Sequence, residues 1–225
     1  MSVGPTARSA VRLSTSSGSV MITAEPRDDV EVKTDRGVEH RSTSQQDPIA
    51  VRKSSSVDVR CPTGVDIVVG TSSGSIRLVG AFGAVRVTSH SGSMSVGEVM
   101  SADLRTTSGS VDVRRCDGAC RVTTTSGSVR VDEAGDADVS GGSGTMQVSA
   151  VTARVRTVSG TIDLATAGDA SVQTVSGTVT IALPDSLRPR IVAHSMRSPK
   201  VEVDEGDDCE ISVRSVSGSI TVRSG

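Results

Sequence analysis

Nine Ser-Gly-Ser or Ser-Gly-Thr tripeptides punctuate the chain, centred on Gly18, Gly74, Gly92, Gly109, Gly127, Gly144, Gly160, Gly177 and Gly218. From Gly74 to Gly177 successive glycines stand 18, 17, 18, 17, 16 and 17 residues apart. A short fixed period marks a solenoid, in which each repeat is one coil that buries its apolar side by stacking on the next.

Composition narrows the interior of those coils. The 225 residues include no Trp, no Tyr and a single Phe, Phe82. Val, Ala, Ile, Ser and Thr must then fill a core that large aromatic side chains normally dominate. Thin coils meet that condition; a broad sandwich or a helical bundle does not. A net charge of −2 leaves no footprint for nucleic acid or an anionic membrane surface. No apolar run approaches the length of a membrane span, so direct membrane insertion is not expected. The opening residues Met1 to Thr6 lack the basic and apolar regions of a secretory signal. Four cysteines in a chain of this length do not make a disulfide framework. The expectation is a bacterial-type cytoplasmic protein.

Positions counted from the repeat glycine expose the coil. Five residues before it stand Leu13, Val69, Val87, Leu104, Val122, Val139, Val155, Val172 and Val213. Seven before it the column is again small and apolar, for example Ile67, Val85, Ala102, Cys120 and Ala137. Two and four after it stand pairs such as Val111 and Val113, or Val129 and Val131. Apolar residues bracketing a polar one give the period-two alternation of a strand. Each coil therefore reads as strand, Ser-Gly-Ser corner, strand and a shorter third inward face near Cys116 and Ala134. Glycine suits a corner needing positive φ, and its serine flanks suggest a serine ladder along one edge. Short corners without helices imply parallel pairing between coils. The fold expected is all-β: a right-handed parallel β-helix, or β-solenoid, of about twelve coils with a period near 17 residues.

Charge supplies an independent check. Six residues before the glycine, successive coils carry Arg86, Asp103, Arg121, Asp138 and Arg154. Stacked strands place such neighbours about 4.8 Å apart, where alternating sign is favourable and like charges repel.

The whole chain, 1–225, reads as one solenoid domain with less regular coils over 1–63, regular repeats over 64–183, and irregular and final coils over 184–225. Val30, Val32 and Thr34 before Gly37 match a first strand. Val57 and Val59 match a second strand after the corner Lys53-Ser54-Ser55-Ser56, and Ile191, Ala193, Val201 and Val203 fit one further coil. All seven prolines lie outside the regular block between Gly64 and Leu183, as expected of a residue that removes a ladder donor.

No catalytic, cofactor or metal site emerges. Cys116 and Cys120 fall in columns otherwise held mainly by Ala and Val, and free cysteine packs as a small hydrophobe; zinc would need about four ligands. His40, His90 and His194 lie in different coils without a nucleophile motif. The acidic pairs Asp28-Asp29, Asp204-Glu205 and Asp207-Asp208 read as loop charge rather than calcium ligands, because the glycine-rich calcium nonapeptide series is missing. Threonines such as Thr106, Thr107, Thr123, Thr124 and Thr125 form no flat array, since Arg105, Gly141 and Arg156 interrupt their columns.

The phrase Val-x-Thr-x-Ser-Gly-Ser-Val-x-Val, as over Arg121 to Val131, resembles a bacterial family of adhesin-type β-strand repeats of unknown function. The C-terminal run Leu187-Arg188-Pro189-Arg190, followed by Val213 to Ile220, shares the resemblance. It implies a fold similar to single-stranded right-handed β-helices and carries over no catalytic residue. Many relatives bear a membrane anchor or signal, which links the family with the cell envelope.

The function expected is therefore a non-enzymatic scaffold engaging a partner protein or itself. A polysaccharide-acting β-helix enzyme and a surface adhesin are the alternatives. The absence of Trp and Tyr argues against a sugar-processing face. A parallel stack leaves unpaired main-chain groups on its terminal coils, and Ser219-Ile220-Thr221-Val222 close to the chain end is the expected sticky edge. The strand phase makes a direct prediction. Val129→Asp places a charge in the core and should abolish a cooperative melt, whereas Arg130→Asp should shift the melting temperature little; equal effects would refute the phase.

Overall fold

The computed structural model describes residues 10–34, 37–42, 49–53, 55–196 and 198–225. Among them there is no helix, and hence none long and apolar enough to cross a membrane. All fifteen strands belong to one sheet. Ile76–Ser91 and Met94–Ser108 each run from one Ser-Gly-Ser corner to the next as a single strand, and Val129–Thr166 continues through the corners at Gly144 and Gly160. The protein is an all-β solenoid of stacked parallel coils. Pro5, Pro48 and Ser54 lie outside the described residues, as do the side chains of Lys53 and His40.

Inward columns match the sequence reading. Val122, Val129 and Val131 are buried, as are Val11, Leu13, Val87, Leu104, Val155 and Ile181, while Arg130 is exposed. Cys116 and Ala134 stand opposite one another and form the third inward face. Phe82 and Val99 continue that face in earlier coils.

The order of the stack differs from the order of the chain at both ends. Ala10–Thr15 is flanked by Ile49–Lys53 on one side and Asp66–Ser73 on the other, both parallel. Val20–Glu25 likewise lies between Val57–Pro62 and the start of Ile76–Ser91. The first described coil is therefore not the end of the solenoid. The chain leaves it, forms an outer coil, and passes back over it into the regular repeats. At the other end Cys209–Ser224 pairs with Ala170–Leu183 along one edge. Pro189–His194 and Lys200–Glu202 cover its other edge.

Two expectations are thereby corrected. Thr221 and Val222 are paired on both sides, to Thr180 and Ile181 and to Lys200 and Val201. Ser219 and Ile220 pair with Thr178 and Val179. The run Ser219-Ile220-Thr221-Val222 is thus not the outer edge of the solenoid. The outermost rung is the earlier segment containing Pro189, with Pro199 just before Lys200, and proline blunts an edge because it offers no donor. Secondly, Val30–Thr34 does not join the parallel column. It pairs antiparallel with Gly37–Ser42 and with Val57–Pro62. With only two residues between Thr34 and Gly37 the chain can make a hairpin, whereas a parallel return needs a crossover of a dozen residues or more. The hairpin takes the place of one expected coil.

The glycine column dictates this order. An added Cβ on Gly74 would meet the main chain of Gly18, and the same holds for Gly92 on Gly74, and so on through Gly177 on Gly160 and Gly218 on Gly177. Each repeat glycine stacks on the previous one whether 16, 41 or 56 residues separate them in sequence. Eight of the nine also hold φ between +101° and +141°, a region that costs an L-residue about 1–2 kcal/mol. Both causes act together in Gly127→Ala. The expected loss is about 3 kcal/mol or more, seen as a lower thermal midpoint. Gly70→Ala, where a Cβ meets open space and φ is unstrained, should change the midpoint little.

Candidate functional site

The corner beside the glycine holds a polar column inside the solenoid. Three residues before the glycine stand Thr15, Thr71, Ser89, Thr106, Thr124, Thr157, Thr174 and Ser215, all buried. In six of these coils the hydroxyl donates to the carbonyl of the residue just before the glycine. Thr71 to Ser73, Ser89 to Ser91 and Thr106 to Ser108 span 3.1, 3.1 and 3.0 Å. Thr124 to Ser126, Thr157 to Ser159 and Thr174 to Ser176 span 3.2, 3.1 and 3.1 Å. A buried hydroxyl needs a partner, and this bond also ties the strand to its corner. The exception is Ser215, whose buried Oγ has no partner; its coil is also the one whose glycine, Gly218, lacks a positive φ.

The corner serines act differently from a serine-to-serine ladder. Ser73, Ser108 and Ser217 donate to main-chain carbonyls one coil away, those of Ser16, His90 and Val175, at 3.4–3.5 Å. These corner hydroxyls are structural, bonded to main-chain carbonyls of their own or the neighbouring coil. Where the column lacks a hydroxyl, volume is restored from within the same coil. Gly141 leaves a gap that the Met146 side chain fills, at a position where most other coils carry Val or Ile.

A longitudinal groove of about 1130 Å³ crosses the coils from Ala10 and Arg12 to Glu210 and Ser212. One wall is the charge ladder six residues before the glycine. Arg86 and Asp103 are 3.4 Å apart, as are Arg121 and Asp138, and Asp103 and Asp138 also hold Arg105 and Arg156 at 3.2 and 3.8 Å. The opposite wall carries Asp66, Asp136 and Asp169. Asp66 accepts the Ala84 amide at 2.7 Å and Asp169 that of Glu210 at 2.9 Å, while Asp136 accepts the Thr152 hydroxyl at 3.1 Å. These carboxylates stitch one coil to the next. Sequence reasoning anticipated the ladder but not the facing wall, whose residues alternate with Ala and Ser and show no charge rhythm.

The other candidate groups are dispersed. His90 and His194 lie on different coils. Asp29 binds Arg27 at 2.8 Å, and Asp208 accepts the Arg188 amide at 2.9 Å. Among the described residues no three His, Cys, Asp or Glu side chains converge to hold a metal ion. All four cysteines are free and buried. Cys116 donates to the Gly118 carbonyl at 3.7 Å across a bulge in the ladder. Hydrogen bonding to Cys116, together with burial, pushes the Cys120 thiol well above the ordinary range.

Burial raises the Cys61 thiol to about 11. Below pH 9 both folded and unfolded thiols are protonated and the full stability is present. Between pH 9 and 11 only the unfolded thiol ionises, so stability falls. The loss from Cys61 is about 2–3 kcal/mol by pH 11. Denaturant unfolding of wild type and Cys61→Ala from pH 8 to pH 11 should show the smaller decline in the variant; identical slopes would contradict the assignment.

The family model described as Toastrack DUF4097 matches residues 47–223. The chain belongs to that family, a β-strand repeat family of unknown function. Comparison with curated proteins and with solved structures finds no match.

Proposed function

We propose that this Toastrack-family solenoid is a non-enzymatic scaffold that engages a partner protein through its C-terminal coils, in a role linked to the cell envelope. One observation carries the reading. The five aspartates of the long groove are committed to the fold, with Asp66 and Asp169 on main-chain amides, Asp136 on the Thr152 hydroxyl, and Asp103 and Asp138 on arginines. A glycosidase instead needs a pair of carboxyl groups free to exchange protons or attack, set a defined distance apart. Hydroxyls that would otherwise supply nucleophiles are bonded to carbonyls in the corner column. What remains for recognition is a rigid surface of regularly spaced side chains, the arrangement repeat proteins use for extended binding faces. The envelope link comes from the family resemblance, and fractionation of native cells tests it.

Sedimentation of the chain in a gentle extract of its native host, compared with the purified chain, tests the scaffold reading. The expected result is a discrete, faster-sedimenting species in the extract. Sedimentation identical to that of the purified chain would contradict it. So would new reducing ends from a polysaccharide panel that vanish in Asp136→Asn.

A further inference from the structure

Two residues before the repeat glycine, the side chain points outward at the corner. In six coils this column holds Ser16, Ser72, His90, Thr107, Thr125 and Gly142. In the last three repeats it holds Val158, Val175 and Val216, which remain 57%, 48% and 53% exposed. Their coils are adjacent in the stack, since Thr157 pairs with Thr174 and Thr174 with Ser215. In the outermost rung His194 pairs with Arg214. Three rungs at the strand spacing give an apolar stripe about 10 Å long.

The stripe has a one-signed flank. Four residues before the glycine stand Arg156, Gln173 and Arg214, with His194 beside Arg214 in the outer rung. Together with the valines they border a concavity of about 500 Å³ that no Asp or Glu lines. Arg156 reaches Asp138 at 3.8 Å. Arg214 has no carboxylate within ion-pair distance among the described residues.

Resting on the scaffold reading, we infer that the stripe Val158–Val175–Val216, with Arg156 and Arg214 along it, is the docking site for a partner-protein segment with aliphatic side chains flanked by Asp or Glu. Exposed, contiguous aliphatic side chains are costly to leave in water and mark interaction sites. The arginines select carboxylates by charge and by bidentate geometry. A membrane surface is the poorer fit. The stripe borders a concavity, and it has none of the Trp or Tyr that anchor proteins at an interface.

The test uses the full chain in native host cells, carrying a photo-reactive benzoylphenylalanine at Val175 or, as the control, at Thr125 in the same column. Position 175 should yield a cross-linked adduct whose partner peptide, mapped by mass spectrometry, is aliphatic with neighbouring Asp or Glu. Position 125 should not. Arg214→Glu, an exposed change, should lower the yield about tenfold, and Val216→Ser should lower it as well. An adduct of two copies of this chain would overturn the inference, as would a yield indifferent to Arg214→Glu. Flotation with phosphatidylglycerol vesicles that is lost in Val175→Ser would replace the protein partner with a membrane. No adduct at 175, while the extract still holds the faster-sedimenting species, would sink this site and leave the scaffold reading standing. No such species would remove both.

Discussion

The main chain of one corner glycine lies against the main chain of the next, and the rest of the solenoid is arranged around that contact. Any Cβ in the column would collide with a carbonyl one coil away, so the corners approach as closely as they do only because every member is glycine. Once the corners are in register, the strands on either side are too. Val122 then falls opposite Leu104 and Val139, and Arg121 opposite Asp103 and Asp138. Apolar columns and the charge ladder follow from one alignment. The buried hydroxyl column fixes the same corner from inside, by bonding the carbonyl that precedes the glycine.

This contact also explains how the molecule handles its ends. Residues between Gly18 and Gly74, and between Gly177 and Gly218, exceed one period, yet each pair of glycines still stacks directly. The surplus segments are displaced outward and become the outer rungs. At one end they form an antiparallel hairpin, and at the other Pro189 and Pro199 discourage further pairing by removing ladder donors. The strands nearest the two chain ends lie inside the stack, each with neighbours on both sides.

Much of this could be read from the sequence because a period-two pattern on a 17-residue repeat leaves little choice of which side chains face in. The burial of Val129 and exposure of Arg130 are examples. The stacking order was also encoded, since the phrase around Gly218 repeats that around Gly177, but threading the coils in chain order put the irregular coil on the wrong side of Cys209–Ser224. The hydroxyl column was hidden because Thr at a corner reads equally well as a surface array, and only burial separates the two. The groove wall at Asp66, Asp136 and Asp169 was hidden for another reason: each carboxylate answers a local amide or hydroxyl of the next coil, a demand with no period. The valine stripe differs from the core valines by a shift in the count from the glycine, and outward-facing Val carries no mark in sequence alone.

If the glycine contact sets the register, the solenoid should tolerate loss of a whole coil and reject loss of nearly one. Removing residues 128–144 joins Gly127 to Thr145 and deletes one 17-residue period; removing 128–143 leaves Gly127 and Gly144 side by side at one corner, so one of the two strands flanking that corner is a residue out of phase with its neighbours. Thermal unfolding followed by circular dichroism is the deciding measurement. The first protein should melt cooperatively as a shorter solenoid, and the second should lose its cooperative transition or melt far lower. Indistinguishable melts for the two deletions would contradict the claim that stacked glycines place the coils.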